Sequence, residues 1–149
     1  MVMNGQEESG VEMRNRLQGL MHKTESDVVA VGRLDASTRK LHWVELCGHR
    51  NERTSAIRQK ATQGLSGMAL RAGRPMVTKE ALGDAERFNL GEAVMLTESL
   101  SVAAAIPLKQ GSQYNWIILL GRRSGVAYTP ELLRIGQQWG EELAKELVM

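Results

Sequence analysis

Cysteine, proline and aromatic residues are all scarce in this chain, and the shortages narrow what it can be. Its 149 residues contain one cysteine, Cys47. No internal disulfide can form from it, and a cysteine-based metal site is not expected. The three histidines, His22, His42 and His49, are scattered through the chain without an H-x-x-x-H or His/carboxylate spacing, so no metal is expected from them either. There is no Ser/His/Asp set, no carboxylate pair with an evident role and no Walker-type loop. Catalysis therefore has no candidate residues, and the chain reads as a non-enzyme. Neither sign of charge dominates: a net charge of +2 is too weak to indicate nucleic acid as a partner. No apolar run approaches the ~20 residues that a membrane-spanning helix needs. Met1–Gly10 is polar and acidic and lacks the apolar core of a signal peptide. A soluble, cytoplasmic protein without a membrane partner is expected.

What remains is an ordinary globular composition, 42% hydrophobic and 24% charged with three prolines, in a length that suits one domain with a real core. Residues 1–10 read as a flexible lead-in and residues 11–149 as the domain. Met13, Leu17, Leu20 and Met21 recur at helical spacing and predict an amphipathic helix from Val11 to about Lys23. Asp27–Asp35 is a strand, Ala36-Ser37-Thr38 a turn, and Arg39–Cys47 a second strand, together a hairpin. Alternation places Leu41, Trp43 and Glu45 on one face of that second strand, and His42, Val44 and Leu46 on the other. Thr54 is placed to cap a short helical turn through Ala56, Ile57 and Lys60. Pro75-Met76-Val77-Thr78 is a short edge strand. Residues 80–93 form a loop with one helical turn. Leu100–Leu108 and Tyr114–Arg122 are strands joined by a turn, the second the most hydrophobic run of all; Tyr114 and Trp116 alternate along one face of it. The small alanines of the first signal close approach by another element, or room for a ligand. Thr129-Pro130-Glu131 opens a final helix with Leu132, Ile135, Trp139, Leu143 and Leu147 on one stripe, continuing to Met149. The sum is an α+β chain with a mainly antiparallel sheet and helices gathered on one side.

The stretch from Gln63 to Pro75 stands at the centre of this order. Gly64-Leu65-Ser66-Gly67 feeds a short helix that Gly73-Arg74-Pro75 closes. On its local pattern it is a glycine-delimited helix between core strands. A helix start also presents unpaired N–H groups and the positive end of a dipole, so it can hold an anion. Between Arg50 and Arg74, six basic residues face one acid, Glu52. Such a run either solvates a surface or raises the local concentration of an anionic ligand.

Five pieces, in order, resemble the GAF domains: the Trp43 strand, Gly64-Leu65-Ser66-Gly67, Gly73-Arg74-Pro75-Met76, Ser101 to Leu108, and Leu119-Leu120-Gly121-Arg122. They span roughly residues 11–148. The resemblance implies a six-stranded antiparallel sheet, the terminal helices on one face and a ligand pocket on the other. Trp43-Val44-Glu45-Leu46-Cys47-Gly48 followed by Asn51-Glu52-Arg53 is similar to the free-standing nitrate-receptor members, which modulate an oxygen-sensing histidine kinase. That similarity implies a nitrate or comparable small-anion ligand, no cofactor, and a two-component kinase as partner. It assigns Trp43 as a pocket wall, Leu65 and Ser66 as donors of backbone N–H groups, and Val94 or Met95 as a further donor from the loop. One departure stands out. Gly91-Glu92-Ala93 replaces an expected aromatic residue before the apolar pair, and Glu92 would repel an anion unless it turned outward.

Two other readings accompany this one. The first is a ligand-free module whose terminal helices form a homodimer or partner interface. The second is a thiol redox sensor through Cys47, set against simple burial of a small apolar side chain.

Overall fold

The computed structural model describes the backbone of residues 2–147 and the side chains of residues 12–147. Its elements run α1 (Val2–Lys23), β1 (Val28–Asp35), β2 (Lys40–Cys47), a 3-10 turn (Glu52–Ala56), β3 (Arg58–Lys60), α2 (Gly64–Ala72), β4 (Met76–Val77), α3 (Asp84–Leu90), α4 (Ala93–Glu98), β5 (Val102–Gln110), β6 (Gln113–Arg122) and α5 (Pro130–Ala144). Six strands form one sheet in the order β3-β2-β1-β6-β5-β4, and every adjacent pair is antiparallel. The most apolar run, β6, lies inside the sheet as expected, and β4 with its leading proline lies at an edge.

Alternation divides the core into two clusters, one on each sheet face. Val29, Val31, Val102, Ala104, Ile106, Leu108, Ile118 and Leu120 pack with Leu17 and Leu20 of α1 and Leu143 of α5. Val28, Ala30, Leu41, Trp43, Ala103, Ala105, Ile117 and Leu119 pack with Leu65 and Ala69 of α2 and Val94 and Met95 of α4. The alanines of β5 thus admit α2 closely. An ion pair between Arg16 and Glu146 ties α1 to the chain just beyond α5.

Several local expectations are corrected. Helix α1 begins at Val2, so residues 2–10 are helical rather than a flexible lead-in; once a helix is nucleated, each added residue contributes one hydrogen bond. The end of the last helix is Ala144 instead of Met149, whose position lies outside the described residues. Asn51, rather than Thr54, caps the turn after β2, its side chain accepting from the Arg53 amide. A bulge in β2 changes its faces: Val31 pairs with Glu45 but Gly32 with Trp43, leaving Val44 extra and outward-facing. Beyond it the parity flips. Leu46, not Glu45, joins the Trp43 face, and Cys47 turns to the α1 side. A second bulge, at Asn115, separates Tyr114 from Trp116. Trp116 lies in the α1/α5 cluster, whereas Tyr114 sits beside Gly73 at the end of α2.

Candidate functional site

The five residues singled out from sequence, Trp43, Leu65, Ser66, Val94 and Met95, are all buried and meet on the sheet face that α2 and α4 cover. Gly32 positions the first of them. A Cβ on Gly32 would lie 3.0 Å from the Trp43 ring, so the bare backbone of β1 leaves room for the indole. Trp43 Nε1 donates to Gln59 Oε1 at 3.3 Å. Gln59 Nε2 donates to the Gln63 carbonyl at 3.2 Å, and Gln63 Nε2 to the Gly91 carbonyl at 2.8 Å. This chain of bonds ties the tryptophan to the start of α2 and to the segment before α4.

The glycines of Gly64-Leu65-Ser66-Gly67 each have a spatial reason. Gly64 has φ +72°, a left-handed conformation open to glycine, and a Cβ there would fall 2.8 Å from Glu92 Cα. Gly67 lies against Thr62, where a Cβ would come within 2.3 Å of the carbonyl carbon. The Gly67 amide already bonds the Gln63 carbonyl, so Ser66 offers the last first-turn N–H without a helical acceptor.

That N–H is taken. Glu92 Oε1 accepts from the Ser66 amide at 2.6 Å, with the Glu92 side chain fully buried. The carboxyl therefore points into the space at the start of α2, where an outward orientation was needed to keep an anion from being repelled. Burial pushes its pKa up, and the Ser66 amide with the polar side chains of Ser66 and Gln59 nearby counters only part of that. Glu92 Oε2 and Ser66 Oγ, both buried, have no hydrogen-bond partner. Val94 and Met95 lie in the first turns of α4, with Glu92 as its N-cap residue, and not in a loop. The residues that sequence reading missed are Gln59 and Gln63. Gln59 is the one inward position of the three-residue β3, and nothing in Arg58-Gln59-Lys60 distinguishes it from its exposed neighbours.

Other clusters compete for attention. Glu98, also buried, accepts from the Arg50 amide (2.8 Å), the Asn51 amide (3.0 Å), the Thr54 hydroxyl (2.5 Å) and the Arg123 guanidinium (2.7 Å). Burial opposes its ionisation, but these four donors outweigh it and hold the carboxyl below the usual range. Its acceptors are spent on joining the 3-10 turn to α4. The basic residues from Arg50 to Arg74 are exposed and lie outside the Trp43 cluster. Cys47 is buried beneath α1, and burial pushes its thiol up, away from the reactive thiolate. A groove of about 410 Å³ opens between α1 and α5, lined in part by Arg16, Leu17, Trp139 and Glu146. It lies on the opposite sheet face from Trp43. Among the described residues no group of three or more His, Cys, Asp or Glu side chains is placed to hold a metal, and no helix is long and apolar enough to cross a membrane.

No family model matches the sequence and no curated protein matches it; the likenesses are to solved structures. An NreA protein from Staphylococcus aureus, mutated in its nitrate-binding site, is 24% identical, with a TM-score of 0.66 over 79% of this chain and 88% of its own. The GAF domain of a phosphoenolpyruvate-protein phosphotransferase from Coxiella burnetii is 17% identical, with a TM-score of 0.74 over 92% of this chain and 80% of its own. A type II free methionine-R-sulfoxide reductase from Thermoplasma acidophilum is 14% identical, with a TM-score of 0.72 over 93% and 92%. These neighbours differ in what they do and agree in their backbone. With its curled six-stranded antiparallel sheet, paired terminal helices on one face and short helices on the other, this chain has the GAF fold.

Proposed function

We propose that this chain is a non-catalytic small-molecule sensor that holds a compact oxyanion, nitrate foremost, at the start of α2. The observation that carries the reading is the Ser66 amide. It belongs to the helix that packs with Trp43, Val94 and Met95 in one apolar cluster, and its partner is already an sp² oxygen. Nitrate is planar, weakly hydrated and singly charged. A helix-end amide in an apolar box suits it without the desolvation cost of a buried lysine. The likeness to the S. aureus NreA fold supports the same ligand class.

Occupancy would be reported through α1 and α5 to a sensor histidine kinase, by differential affinity of the ligand for kinase-bound and released forms. Strand β6 offers the physical link. Its Ile117 and Leu119 face the ligand side, while Arg122 at its end bonds the Thr24 and Glu25 carbonyls after α1 and the Val126 carbonyl before α5. Calorimetry and tryptophan fluorescence during a nitrate titration test the reading, with nitrite and iodide as comparison anions. Heat and a fluorescence change specific to nitrate are expected. Silence up to millimolar nitrate overturns it.

The buried Glu92 carboxyl favours a second reading, a ligand-free interaction module whose site is permanently filled from within. Trp43→Ala separates the two. A sensor loses its ligand response and keeps its partner, whereas a scaffold has no response to lose.

A further inference from the structure

We propose that Glu92 is an intramolecular occupant of the oxyanion position, and that any outside ligand of this site is a small planar oxyanion or monocarboxylate that must displace the Glu92 carboxyl from the Ser66 amide. The inference rests on the site described above but not on nitrate being the natural ligand.

Three features of the geometry carry it. First, Glu92 arrives from a separate element, at the N-cap of α4, and its Oε1 meets the amide of α2 at 2.6 Å. Second, the bare backbone at Gly64 makes the room that the carboxyl occupies. The missing Cβ of Gly64 would lie 2.9 Å from Oε1 and 2.8 Å from Glu92 Cα, so no side chain at position 64 could coexist with it. Third, the fit is incomplete in its hydrogen bonding. A buried carboxyl forming four good bonds, as Glu98 does, is a structural group. Glu92 keeps Oε2 unpartnered beside an unpartnered Ser66 Oγ, and buried polar atoms left without partners are costly. A free anion can rotate to reach both the amide and the hydroxyl. The Glu92 carboxyl, tethered to its own backbone, makes its one hydrogen bond to the amide.

The consequence is a competition. A tethered carboxyl acts at high effective concentration, so the unaltered chain should bind a given oxyanion more weakly than a version with the carboxyl removed. Glu92 is thereby the residue that sets the affinity and size limit of the site. Removing it past Cβ vacates a space matching a short carboxylate that still finds the Ser66 amide.

Chemical complementation of the full chain tests this. Glu92→Ala and Glu92→Ser are titrated with sodium formate, acetate and nitrate against sodium chloride at equal ionic strength, reading melting temperature and tryptophan fluorescence. Serine is the variant better suited to fold, because it is a favoured N-cap residue for α4. Each variant is expected to melt below the unaltered chain and to recover by several degrees in millimolar formate or acetate. The unaltered chain should respond at least tenfold more weakly. Variants that fold only when one of these anions is present support the proposal equally. Folded variants no more responsive than the unaltered chain overturn it, as do variants that stay unfolded in all of these anions. Anion-responsive variants beside an unaltered chain blind to nitrate would end the nitrate reading and leave this one standing.

Discussion

Replacing Arg122 should reveal how firmly the sheet holds the two terminal helices. Arg122 is buried, 4% exposed, and its guanidinium forms no ion pair with a carboxylate among the described residues. Instead it donates to the carbonyls of Thr24 (2.7 Å), Glu25 (2.9 Å) and Val126 (2.8 Å) and lies over the Tyr128 ring at 4.3 Å. In Arg122→Ala these losses are unequal. Glu25 and Val126 are exposed residues, so water can replace the arginine at their carbonyls. Thr24 is wholly buried, and its orphaned carbonyl costs about 1–3 kcal/mol. The lost cation–π contact adds roughly 1 kcal/mol. Relief from burying a charge is offset by the lost packing of the arginine stem, leaving a destabilisation of about 3 kcal/mol. For a chain of this size that lowers the melting temperature by roughly 6–12 °C. Arg122→Lys keeps the charge but not the planar fork, so it should lose about 2 kcal/mol. Urea unfolding followed by tryptophan fluorescence measures both. An alanine variant within about 0.5 kcal/mol of the unaltered chain, the range of ordinary surface changes, would refute the clamp. It would also remove the link from β6 to α1 and α5.

Further predictions concern the two buried glutamates and the start of α2. Glu98 is held below the ordinary glutamate value near 4.5, so its folded form binds fewer protons than the unfolded chain. Its contribution is complete above that value and lost as pH falls through the folded pKa. Glu98→Gln should therefore destabilise at pH 7, and by progressively less as pH falls below 4.5. Glu92 is shifted the opposite way from the same value near 4.5. Its contribution is complete below that value and declines as pH rises through the folded pKa, so Glu92→Gln should gain on the unaltered chain as pH is raised. Parallel pH–stability curves for the two variants would contradict both assignments. Gly67→Ala places a Cβ 2.3 Å from the Thr62 backbone, which cannot swing aside as a side chain can. A loss of about 2 kcal/mol or more is expected, together with a shift of the Ser66 amide resonance; an unperturbed spectrum would contradict the packing. Gln59→Ala breaks the chain of bonds from Trp43 to Gly91 at a cost of about 1 kcal/mol, measured by urea unfolding.

The sheet, its antiparallel order and the face on which the terminal helices pack were legible because they follow from local signals that repeat. Continuous apolar runs marked β1, β5 and β6, a helical stripe marked α1 and α5, and Gly64 and Gly73 bracketed α2. The convergence of Trp43, Leu65, Ser66, Val94 and Met95 came through resemblance of the segment order, since they span more than fifty positions and no local rule joins them. Tertiary structure decided the rest. The bulges at Val44 and Asn115 move side chains to the opposite face, and a bulge is a property of two strands in register rather than of either sequence. Gln59 is buried only because β3 pairs with β2 beneath Trp43. The orientation of Glu92 depended on the distance between two helix starts from different parts of the chain. An acid in Gly91-Glu92-Ala93 is compatible with solvent or with an enclosed amide, and only the packing of α4 against α2 brings that carboxyl to Ser66.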